Sequence, residues 1–563
     1  MRVNVLAPWV SALILLPLAS SEPSMTIISE NVTRISNGDT FSMDVESSGY
    51  VTRMWWNGRE IVGNATGGYT DTGGKTTFNF TSGPTLIEKT DSMIHVGFHN
   101  ADFGDVYYVL FSGLDGHYQY VINQNLGYQG EVRSLYRLDP LQFTWGRTNI
   151  KNAPLPAIQD IEMGYKVQDE TWQRPNGSYI TKYDFSCYVR DLDFHGIYGD
   201  GVGAYVIAPG KDYYIGDHLK QELMLHRESS TDDAVLLHMY HGTHYNSEFS
   251  NLIPPGKMWG PWLFYINDGD LDDAAARSKK EDAAWPYPWL RDDKYQQRGT
   301  VQGQLILSDG RPAAGAAIFL GDEDGAETNN QGSNYQYTTY ADANGSFILN
   351  HVRREKAYRL LAWANGGALA DVEGVHNGTA VEFANADSSD IDLGIITWEV
   401  PVDRHLAWRI GDFDRKTLGF RLGGAQMEHG LSDACPANLV YAIGSTQEND
   451  WCFAQSAQGN WTVIFPEADE GVRERGAVLS LSFAGYTSQN GYGLGRDSYA
   501  FPEIEPTGLN VSMNQQLVGT IVSENATDGA LYRSATTSGG YYARQFIIPG
   551  EMFLSDRANR LDL

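Results

Sequence analysis

The feature that most constrains the fold is a long succession of short β-type segments that begins near residue 25. β-Branched and aromatic residues fill these segments, and glycine, asparagine and aspartate separate them. Examples are VTRMWWNGREIVG, SMIHVGFHN, DVYYVLFSG and YQYVINQNL. The chain shows neither βαβ alternation nor an internal repeat, and its 60 glycines fit frequent turns. These patterns predict a large antiparallel β-sandwich over residues 25–265.

One segment has a helical pattern instead. DGDLDDAAARSKKEDAAW, residues 268–285, opens with acidic residues, continues through alanines and meets Pro286 and Pro288 at its end. The opening aspartates suggest calcium ligands, but the EF-hand glycine is missing, which favours helix capping over metal binding.

Changes in composition divide the chain into three β-rich units. A proline- and charge-rich connector, PYPWLRDDKYQQRG, follows the helix, and strand patterns resume at GTVQGQLILSDG and again at TWEVPVDRHLAW. We therefore expect an all-β protein with domains over residues 22–295, 296–395 and 396–563. The last residues, up to Leu563, read as a further strand.

The first 21 residues have the pattern of a secretory signal peptide. One arginine precedes an apolar run, and Ala19 and Ser21 suit cleavage before Glu22. Nine N-x-S/T sequons fit an exported glycoprotein, and they lie at Asn31, Asn64, Asn79, Asn176, Asn344, Asn377, Asn460, Asn510 and Asn525. No other segment approaches the ~20 apolar residues that a membrane span needs, so we expect a secreted protein with no membrane partner.

Charge and cysteine content narrow the partners further. The net charge of −29 argues against nucleic acid as a partner, because phosphate binding needs a basic surface. Of the three cysteines, Cys435 and Cys452 lie close enough in sequence to form a disulfide, and Cys187 is expected to be buried. We expect a monomer that is stabilised by its apolar cores.

Three histidines lie close together in LLHMYHGTHY, at His238, His241 and His244. Strand alternation places His241 on one face and His238 with Tyr240 on the other, and His244 joins the second face if the strand continues past Gly242. A metal triad is therefore disfavoured, and no cysteine or acidic ligand completes one. We interpret His238 and His241 as hydrogen-bonded strand residues, and His244 as the histidine that is presented to a ligand.

Two further segments carry basic residues. Arg133 and Arg137, in EVRSLYRLDP, are spaced to share one side of a strand or a helix, where they can bind a carboxylate. The alternative is two unrelated surface arginines. Lys182, in GSYITKYDFS, has aromatic neighbours that disfavour its charged form and suit a general base. The alternative is a lysine whose stem lies on the sheet and whose head reaches water.

Taken together, these segments resemble rhamnogalacturonan lyases of polysaccharide lyase family 4, the secreted fungal type. The resemblance rests on the order EVRSLYRLD, GSYITKYDFS, HMYHGTHYNSE and WRIGDFDRKTLGF, with LSFAG later, and it covers nearly the whole mature chain. It implies a super-sandwich related to the galactose-mutarotase fold, a fibronectin type III-like domain and a jelly-roll domain that resembles carbohydrate-binding modules. The implied reaction is β-elimination at the rhamnose–galacturonate linkage of the pectin backbone.

The resemblance also implies residue roles. The family's catalytic lysine falls on Lys182, its catalytic histidine on His244, and its arginine pair on Arg133 and Arg137. A strand tyrosine of the family falls on Tyr240 when a gap of one residue is allowed.

Three positions complete or depart from this pattern. His238 stands where the family has a second tyrosine, and with Tyr183 it is expected to contact the substrate. Arg415 stands where the family usually has glycine, so the turn there is expected to differ.

The implied chemistry gives these residues a physical purpose. The C5 proton of galacturonate is hardly acidic while the adjacent carboxylate keeps its charge. Arg133 and Arg137 are expected to neutralise that carboxylate, Lys182 to take the proton, and His244 or Tyr240 to assist the leaving oxygen. Because arginines can replace calcium here, no cofactor is expected for catalysis, although a structural calcium ion is compatible with the sequence.

Two rival functions stay open from the sequence. One is a glycoside hydrolase acting on a plant cell-wall polysaccharide, whose two carboxylates cannot be singled out among 70 acidic residues. The other is a polysaccharide-binding glycoprotein without catalytic activity. Product chemistry separates them, because only a lyase forms an unsaturated uronate.

Overall fold

The computed structural model describes residues 22–64, 67–73, 77–168, 170–244, 251–323, 328, 331–383, 389–402, 404–423, 430–483, 507–523 and 542–563. The predicted signal peptide, the sequon at Asn525 and the part of the family resemblance from Tyr245 to Glu248 lie outside these residues.

The first group of strands builds the part of the chain that was predicted to be a large sandwich. Its strands are β1 (Ser24–Ser29), β2 (Val32–Ser36), β3 (Phe41–Glu46), β4 (Val51–Trp56), β5 (Arg59–Glu60), β6 (Gly68–Asp71), β7 (Thr85–Lys89), β8 (Met93–Phe98), β9 (Gly104–Phe111), β10 (Gly116–Asn123), β11 (Gly127–Gln129), β12 (Glu131–Leu138), β13 (Trp145–Arg147), β14 (Asn152–Pro154), β15 (Tyr165–Gln168), β16 (Thr171–Gln173), β17 (Tyr179–Thr181), β18 (Ser186–Tyr188), β19 (Phe194–Gly199), β20 (Val202–Ile207), β21 (Gln221–Leu223), β22 (Leu225–Arg227), β23 (Ala234–Gly242), β24 (Asn251–Ile253) and β25 (Met258–Asn267).

Two nine-stranded sheets form from these strands among the described residues. The first has the order β1-β2-β3-β4-β6-β12-β23-β22, with β5 beside β4, and the second has the order β14-β13-β19-β20-β25-β10-β9-β8-β7. Their facing sides bury one core, in which the rings of Tyr136 and Phe264 stack at a centroid distance of 4.2 Å. The predicted antiparallel sandwich is confirmed.

Four α-helices accompany the strands in the described part of the chain. They are α1 (Ile158–Met163), α2 (Leu271–Ala284), α3 (Asp293–Gln296) and α4 (Glu470–Arg475). The helix predicted over residues 268–285 is confirmed as α2, and the Asp270 carboxylate caps it by accepting the backbone N–H groups of Asp272 and Asp273. The connector after α2 is packed down, since Tyr287 and Tyr295 are buried against the second sheet.

The remaining strands form two further groups. The second group has β26 (Arg298–Leu307), β27 (Ala317–Gly321), β28 (Tyr337–Tyr340), β29 (Ser346–Arg353), β30 (Ala357–Trp363), β31 (Val375–Glu382) and β32 (Asp390–Trp398), and the third has β33 (Leu439–Ala442), β34 (Trp461–Phe465), β35 (Ala477–Phe483), β36 (Thr507–Met513), β37 (Gln516–Ser523), β38 (Tyr542–Ile548) and β39 (Asn559–Asp562).

Each of these groups is a pair of sheets. In the second group, β29-β26-β32 faces β28-β27-β30-β31, and in the third, β33-β34-β39-β36-β37 accompanies β35-β38. The all-β fold class is therefore confirmed. β32 pairs with β26 as far as Trp398, past the predicted bound at residue 395, and the strand predicted at the end of the chain is β39.

The first and second groups are joined by a buried polar interface. The carboxylate of Asp212 lies 3.0 Å from Arg298 Nη1 and 3.0 Å from Arg353 Nε, and all three side chains are almost fully buried. Lys257 Nζ donates to the carbonyl oxygen of Asn334 at 2.9 Å. These contacts fix the second group against the wall of the sandwich, because a buried charge is stable only beside its partners.

Arg415, the residue in place of the family's usual glycine, has φ = +62°. The backbone there therefore has the left-handed conformation that glycine favours. Its guanidinium lies 4.4 Å from the ring of Trp363 and 4.0 Å from the Asp217 carboxylate. In the same third unit, Cys435 and Cys452 form a disulfide with a Cα–Cα distance of 5.8 Å, and Cys187 is buried in the sandwich.

Candidate active site

The candidate site lies on the outer face of the first sheet, where β12 and β23 run side by side. Residues of β12 alternate between the two faces, so Arg133 and Arg137 point outward while Tyr136 enters the inter-sheet core. A register shift between Val132 and Arg133 breaks the pairing with β23 at this end. The two arginines therefore share one side, as their spacing predicts.

Arg133 is held between two carboxylates. Its Nε donates to Asp71 Oδ1 at 2.9 Å, and its Nη1 lies 3.5 Å from Glu131 Oε2. Burial disfavours the charged guanidinium, but the carboxylates of Asp71 and Glu131 outweigh burial and raise the pKa of Arg133. The side chain is fixed in place before any ligand arrives.

Arg137, four residues further along β12, has a similar setting. Its Nε donates to the Tyr69 hydroxyl at 3.2 Å, and its Nη1 donates to Glu228 Oε2 at 3.2 Å, with Asp233 3.8 Å away. These contacts and those of Arg133 leave the second terminal nitrogen, Nη2, of each guanidinium without a hydrogen bond among the described residues. Each arginine can therefore offer an Nη2 donor to an acidic ligand.

Lys182 begins a single 3-10 turn, Lys182–Phe185, that follows β17. The Thr181 hydroxyl caps this turn by accepting the Tyr183 N–H, and the Lys182 backbone N–H donates to the Glu170 carbonyl at 2.9 Å. Its side chain is half-buried, whereas the neighbouring Tyr183 is fully buried in an apolar cluster with Leu135, Leu223, Val235 and Leu237. The cap and this anchor set where the lysine stands.

His244 leaves the end of β23 and joins the same outer face. Its Nδ1 lies 3.6 Å from Glu131 Oε1, and its ring centroid is 5.8 Å from that of Tyr183. The strand ends at Gly242, so the condition under which His244 would share a face with His238 and Tyr240 is not met. Gly242 has φ = +74°, which turns the chain before His244, so strand alternation no longer applies there.

The other residues of the histidine segment lie inside the protein. His238 Nε2 and Nδ1 are each 3.1 Å from a hydroxyl, those of Tyr213 and Tyr214, and His241 Nε2 is 3.2 Å from the Gln129 carbonyl oxygen. The interpretation of both as hydrogen-bonded strand residues is confirmed.

Three residues expected at the substrate have no access to it in this structure. Tyr240 is fully buried between the sheets against Trp259 and Trp262, and His238 lies in the same core. Tyr183 lies beneath the site in the apolar cluster described above. These placements correct the direct contacts expected of them, because a ring with no exposed surface cannot touch a polymer.

His226, on β22, is buried near the cluster of predicted basic site residues, which are Arg133, Arg137, Lys182 and His244. Burial first, and then the positive charges of Lys182, Arg137 and His244, hold its pKa well below the usual range. Three of the predicted catalytic residues, which come from separate parts of the sequence, thus act on the pKa of one buried ring.

Sequence reasoning missed His226 together with the carboxylates of Asp71 and Glu131. Glu131 was visible only as the residue two before Arg133 on the same strand face, which is a weak signal by itself. His226 and Asp71 carry no motif, and their role depends on strand order.

Metal ligation and membrane insertion were also checked in the described residues. They contain no group of three or more histidine, cysteine, aspartate or glutamate side chains placed to hold a metal ion. None of the helices that the structure describes has both the length and the apolar character required to span a bilayer.

Comparison with known proteins gives the site its family. Residues 308–381 match the model described as polysaccharide lyase family 4, domain II, and residues 406–563 match that of polysaccharide lyase family 4, domain III. A rhamnogalacturonate lyase from Dickeya dadantii is 29% identical over an alignment that covers 99% of this chain and 95% of the relative. The chain belongs to polysaccharide lyase family 4.

Fungal relatives match a smaller share of the chain. A probable rhamnogalacturonate lyase B from Aspergillus niger is 26% identical over 68% of this chain, which spans 63% of that relative. A rhamnogalacturonate lyase B from Emericella nidulans is 26% identical over 53% of this chain and 47% of the relative. The family 4 chain is therefore a polysaccharide lyase, and its second and third units are the fibronectin type III-like and carbohydrate-binding-module-like domains of the family.

Proposed function

We propose that the chain is a secreted rhamnogalacturonan lyase, which cleaves the rhamnose–galacturonate linkage of rhamnogalacturonan I by β-elimination. One observation carries the proposal: the Glu131 carboxylate lies 3.5 Å from Arg133 Nη1 and 3.6 Å from His244 Nδ1, so the predicted neutralising arginine and the predicted catalytic histidine meet on one face. The name rhamnogalacturonate lyase, printed for relatives from a bacterium and from fungi, supports the choice of substrate.

The first requirement of the reaction is a neutralised uronate carboxylate. Arg133 and Arg137 supply the charge, each through the Nη2 that its contacts with Asp71, Glu131 and Glu228 leave over. Because these carboxylates already fix both guanidiniums, the site needs little reorganisation when charge develops on the substrate. This role also explains why the proposal includes no catalytic cofactor.

The elimination itself moves one proton from carbon and one to oxygen. Lys182 Nζ takes the C5 proton, the electrons of the C5–H bond form the C4–C5 double bond, and the C4–O4 bond breaks. His244 gives a proton to the departing rhamnose oxygen. The Glu131 carboxylate, 3.6 Å from His244 Nδ1, orients the imidazole for this role. Tyr240 has no part in this scheme, since it is buried.

The surroundings of the reaction follow from the sequence. The N-terminal signal pattern and the sequons support secretion as a glycoprotein, and the net charge of −29 supports a carbohydrate over a nucleic acid as partner. We propose a monomer that needs no membrane. A bound calcium ion, if present, has a structural role only.

The decisive experiment measures ultraviolet absorbance of the unsaturated uronate. Wild type, Lys182→Ala and Lys166→Ala are incubated with rhamnogalacturonan I backbone, with and without a chelator. Lys166 is the matched control, because it is a lysine of the adjacent small sheet that pairs with Glu170 at 3.2 Å outside the cluster. We expect absorbance from wild type and Lys166→Ala, no effect of the chelator, and a loss of about 100-fold or more in Lys182→Ala.

Each other outcome selects a different function. New reducing ends without absorbance indicate a hydrolase, and retained binding with neither signal indicates a binding glycoprotein. Absorbance that the chelator abolishes contradicts the neutralising role of the arginines. Full activity of Lys182→Ala contradicts the assignment of the base.

A further inference from the structure

Two buried charged residues that the proposed mechanism does not use, Lys220 and Glu222, lie close to His244 in the structure. Glu222, on β21, and Lys220, just before that strand, are 0% and 3% exposed. The Glu222 carboxylate accepts the backbone N–H of His244, with its two oxygens at 3.2 and 3.3 Å, and the N–H of Leu223 at 2.9 Å. The carboxylate is thus attached to the peptide group from which the imidazole extends.

The turn that presents His244 depends on this attachment. Gly242 is in the left-handed conformation, and a Cβ placed on it would lie 1.6 Å from the Gly130 carbonyl oxygen, so the strand end is pressed against the start of β12. Thr243 donates its hydroxyl to the Gln221 carbonyl at 3.4 Å. Beyond Gly242, the backbone of His244 is therefore held from the β21 side.

Lys220 is unusual for a buried lysine. Its Nζ has no hydrogen-bond partner in the part of the chain that the structure describes, and it lies 5.5 Å from the centre of the Tyr214 ring. Native proteins seldom leave a buried ammonium without hydrogen bonds, so the position calls for a purpose. The charged groups that act on it electrostatically are Glu222, Arg190 and Glu131.

We propose that Lys220 and Glu222 are a positioning pair for His244. Glu222 holds the His244 peptide so that the imidazole faces Glu131, and Lys220 keeps Glu222 ionised in its buried place. The inference rests on the proposed function, in which His244 protonates the leaving oxygen. Neither residue of the pair contacts the substrate.

The pair has a consequence for pH dependence. Burial raises the pKa of Glu222 to about 7, and burial lowers that of Lys220 to about 8. The groups that face the pair from the surrounding elements are Glu131 on β12, Cys187 on β18, Tyr214 and Arg190 on the preceding segments, and His238 and His241 on β23. Removing the lysine charge raises the pKa of Glu222 further, so a larger share of the enzyme carries the neutral acid.

The test compares kcat and KM across pH on rhamnogalacturonan I backbone for Glu222→Gln, Lys220→Met and Lys220→Arg. We expect Glu222→Gln to lower kcat about tenfold or more with KM within about twofold of wild type, because misplacement affects the reacting geometry. Lys220→Met should move the ascending limb of the kcat profile to higher pH, and Lys220→Arg should restore it.

Lys257→Met is the matched control. Lys257 is also fully buried, and burial lowers its pKa to about 8, but it bonds the Asn334 carbonyl at the interface of the first and second strand groups. Its loss should lower the melting temperature and leave the kcat profile unchanged. If Glu222→Gln does not fold, the double variant Lys220→Met/Glu222→Gln is used instead, because it removes both charges of the pair. The same fall in kcat is then expected of the double variant.

The inference fails if the variants change only the melting temperature and keep the kcat and pH profile of wild type. If wild type forms no unsaturated product, the proposed function fails, and the pair is then tested without activity. In that case the His244 resonance of isotope-labelled histidine, assigned with His244→Gln, must titrate differently in Glu222→Gln. An unchanged titration overturns the inference.

Discussion

The two faces of β12 both carry buried polar side chains, but these side chains are stabilised differently. On the outer face, Arg133 and Arg137 are charged, and carboxylates neutralise them. On the inner face, Tyr136 is neutral, and its hydroxyl donates to Gln119 Oε1 at 2.7 Å and lies 3.2 Å from Nε2 of His117 on β10. The outer arrangement leaves donors for a ligand, whereas the Tyr136 hydroxyl on the inner face bonds within the core.

This difference separates activity from stability along one strand. Ion pairs at a partly open face can exchange one partner for an acidic sugar, because the guanidinium has more donors than its carboxylates use. Neutral hydrogen bonds between two sheets have no such exchange, and they hold the sandwich together. Substitutions on the two faces should therefore differ in which measurement they change.

The largest expected effect distinguishes His244 from Tyr240, which the sequence places together and the structure separates. His244→Gln should lower kcat by about 100-fold or more, because it removes the proton donor. Tyr240→Phe should retain activity within about twofold, because only a buried hydroxyl is lost. Steady-state absorbance assays measure both, and a large loss in Tyr240→Phe would return the tyrosine to the site.

Arg133→Met tests the charge balance of the outer face. The substitution removes the Arg133 charge from beside the buried carboxylates of Asp71 and Glu131, so we expect the free energy of unfolding to fall by about 3–5 kcal/mol. Denaturant unfolding measures the change. Arg59→Met, at an exposed arginine of the same sheet, is the control and should stay within about 0.5 kcal/mol of wild type. Equal losses in the two variants would contradict the buried charge network.

The dependence of stability on acid pH tests the neutral histidines that are buried between the sheets. Burial lowers the pKa of His117 to about 3 and that of His195 to about 4, below the ordinary value of about 6.5 for an unfolded chain. The unfolded state therefore binds more protons as pH falls below about 6.5, and stability is lost in that range. For His195 the loss should reach about 3 kcal/mol by pH ~4. Denaturant unfolding at several pH values measures this loss. The free energy of unfolding of His195→Gln should depend less steeply on pH than that of wild type.

The smallest effect is expected from Tyr136→Phe. Loss of its hydrogen bond to Gln119 should lower the free energy of unfolding by about 1 kcal/mol, and kcat should not change. Thermal unfolding and the absorbance assay together check the prediction. A fall in kcat without a fall in stability would mean that the inner face contributes to catalysis.

Much of this arrangement is predictable from the sequence because it is periodic. Strand alternation in EVRSLYRLDP places both arginines on one face, and the acidic start and proline end of DGDLDDAAARSKKEDAAW locate α2. Alternation ends before His244, because the strand stops at Gly242, which is in the left-handed conformation. Local pattern therefore predicts elements well and their ends poorly.

The rest of the site could not be predicted from local pattern. Asp71 and His226 reach the cluster through strand order, in which β6 and β23 flank β12 and β22 borders β23. The contact between Glu131 and His244 depends on the register shift near Val132. Such pairings join distant parts of the chain, and one sequence alone gives no signal for them.

The apolar core described for the sandwich continues into the second group of strands, where it includes Val301, Leu305 and Tyr335, and Asp212 bridges two arginines beside it. The second unit is therefore not an independent module that can be exchanged between enzymes. A chimaera that joins this catalytic sandwich to a foreign second domain would expose apolar surface. It would also leave the buried Asp212 without its two arginine partners. Recombination should succeed only where the crossover keeps residues 22–398 from one parent.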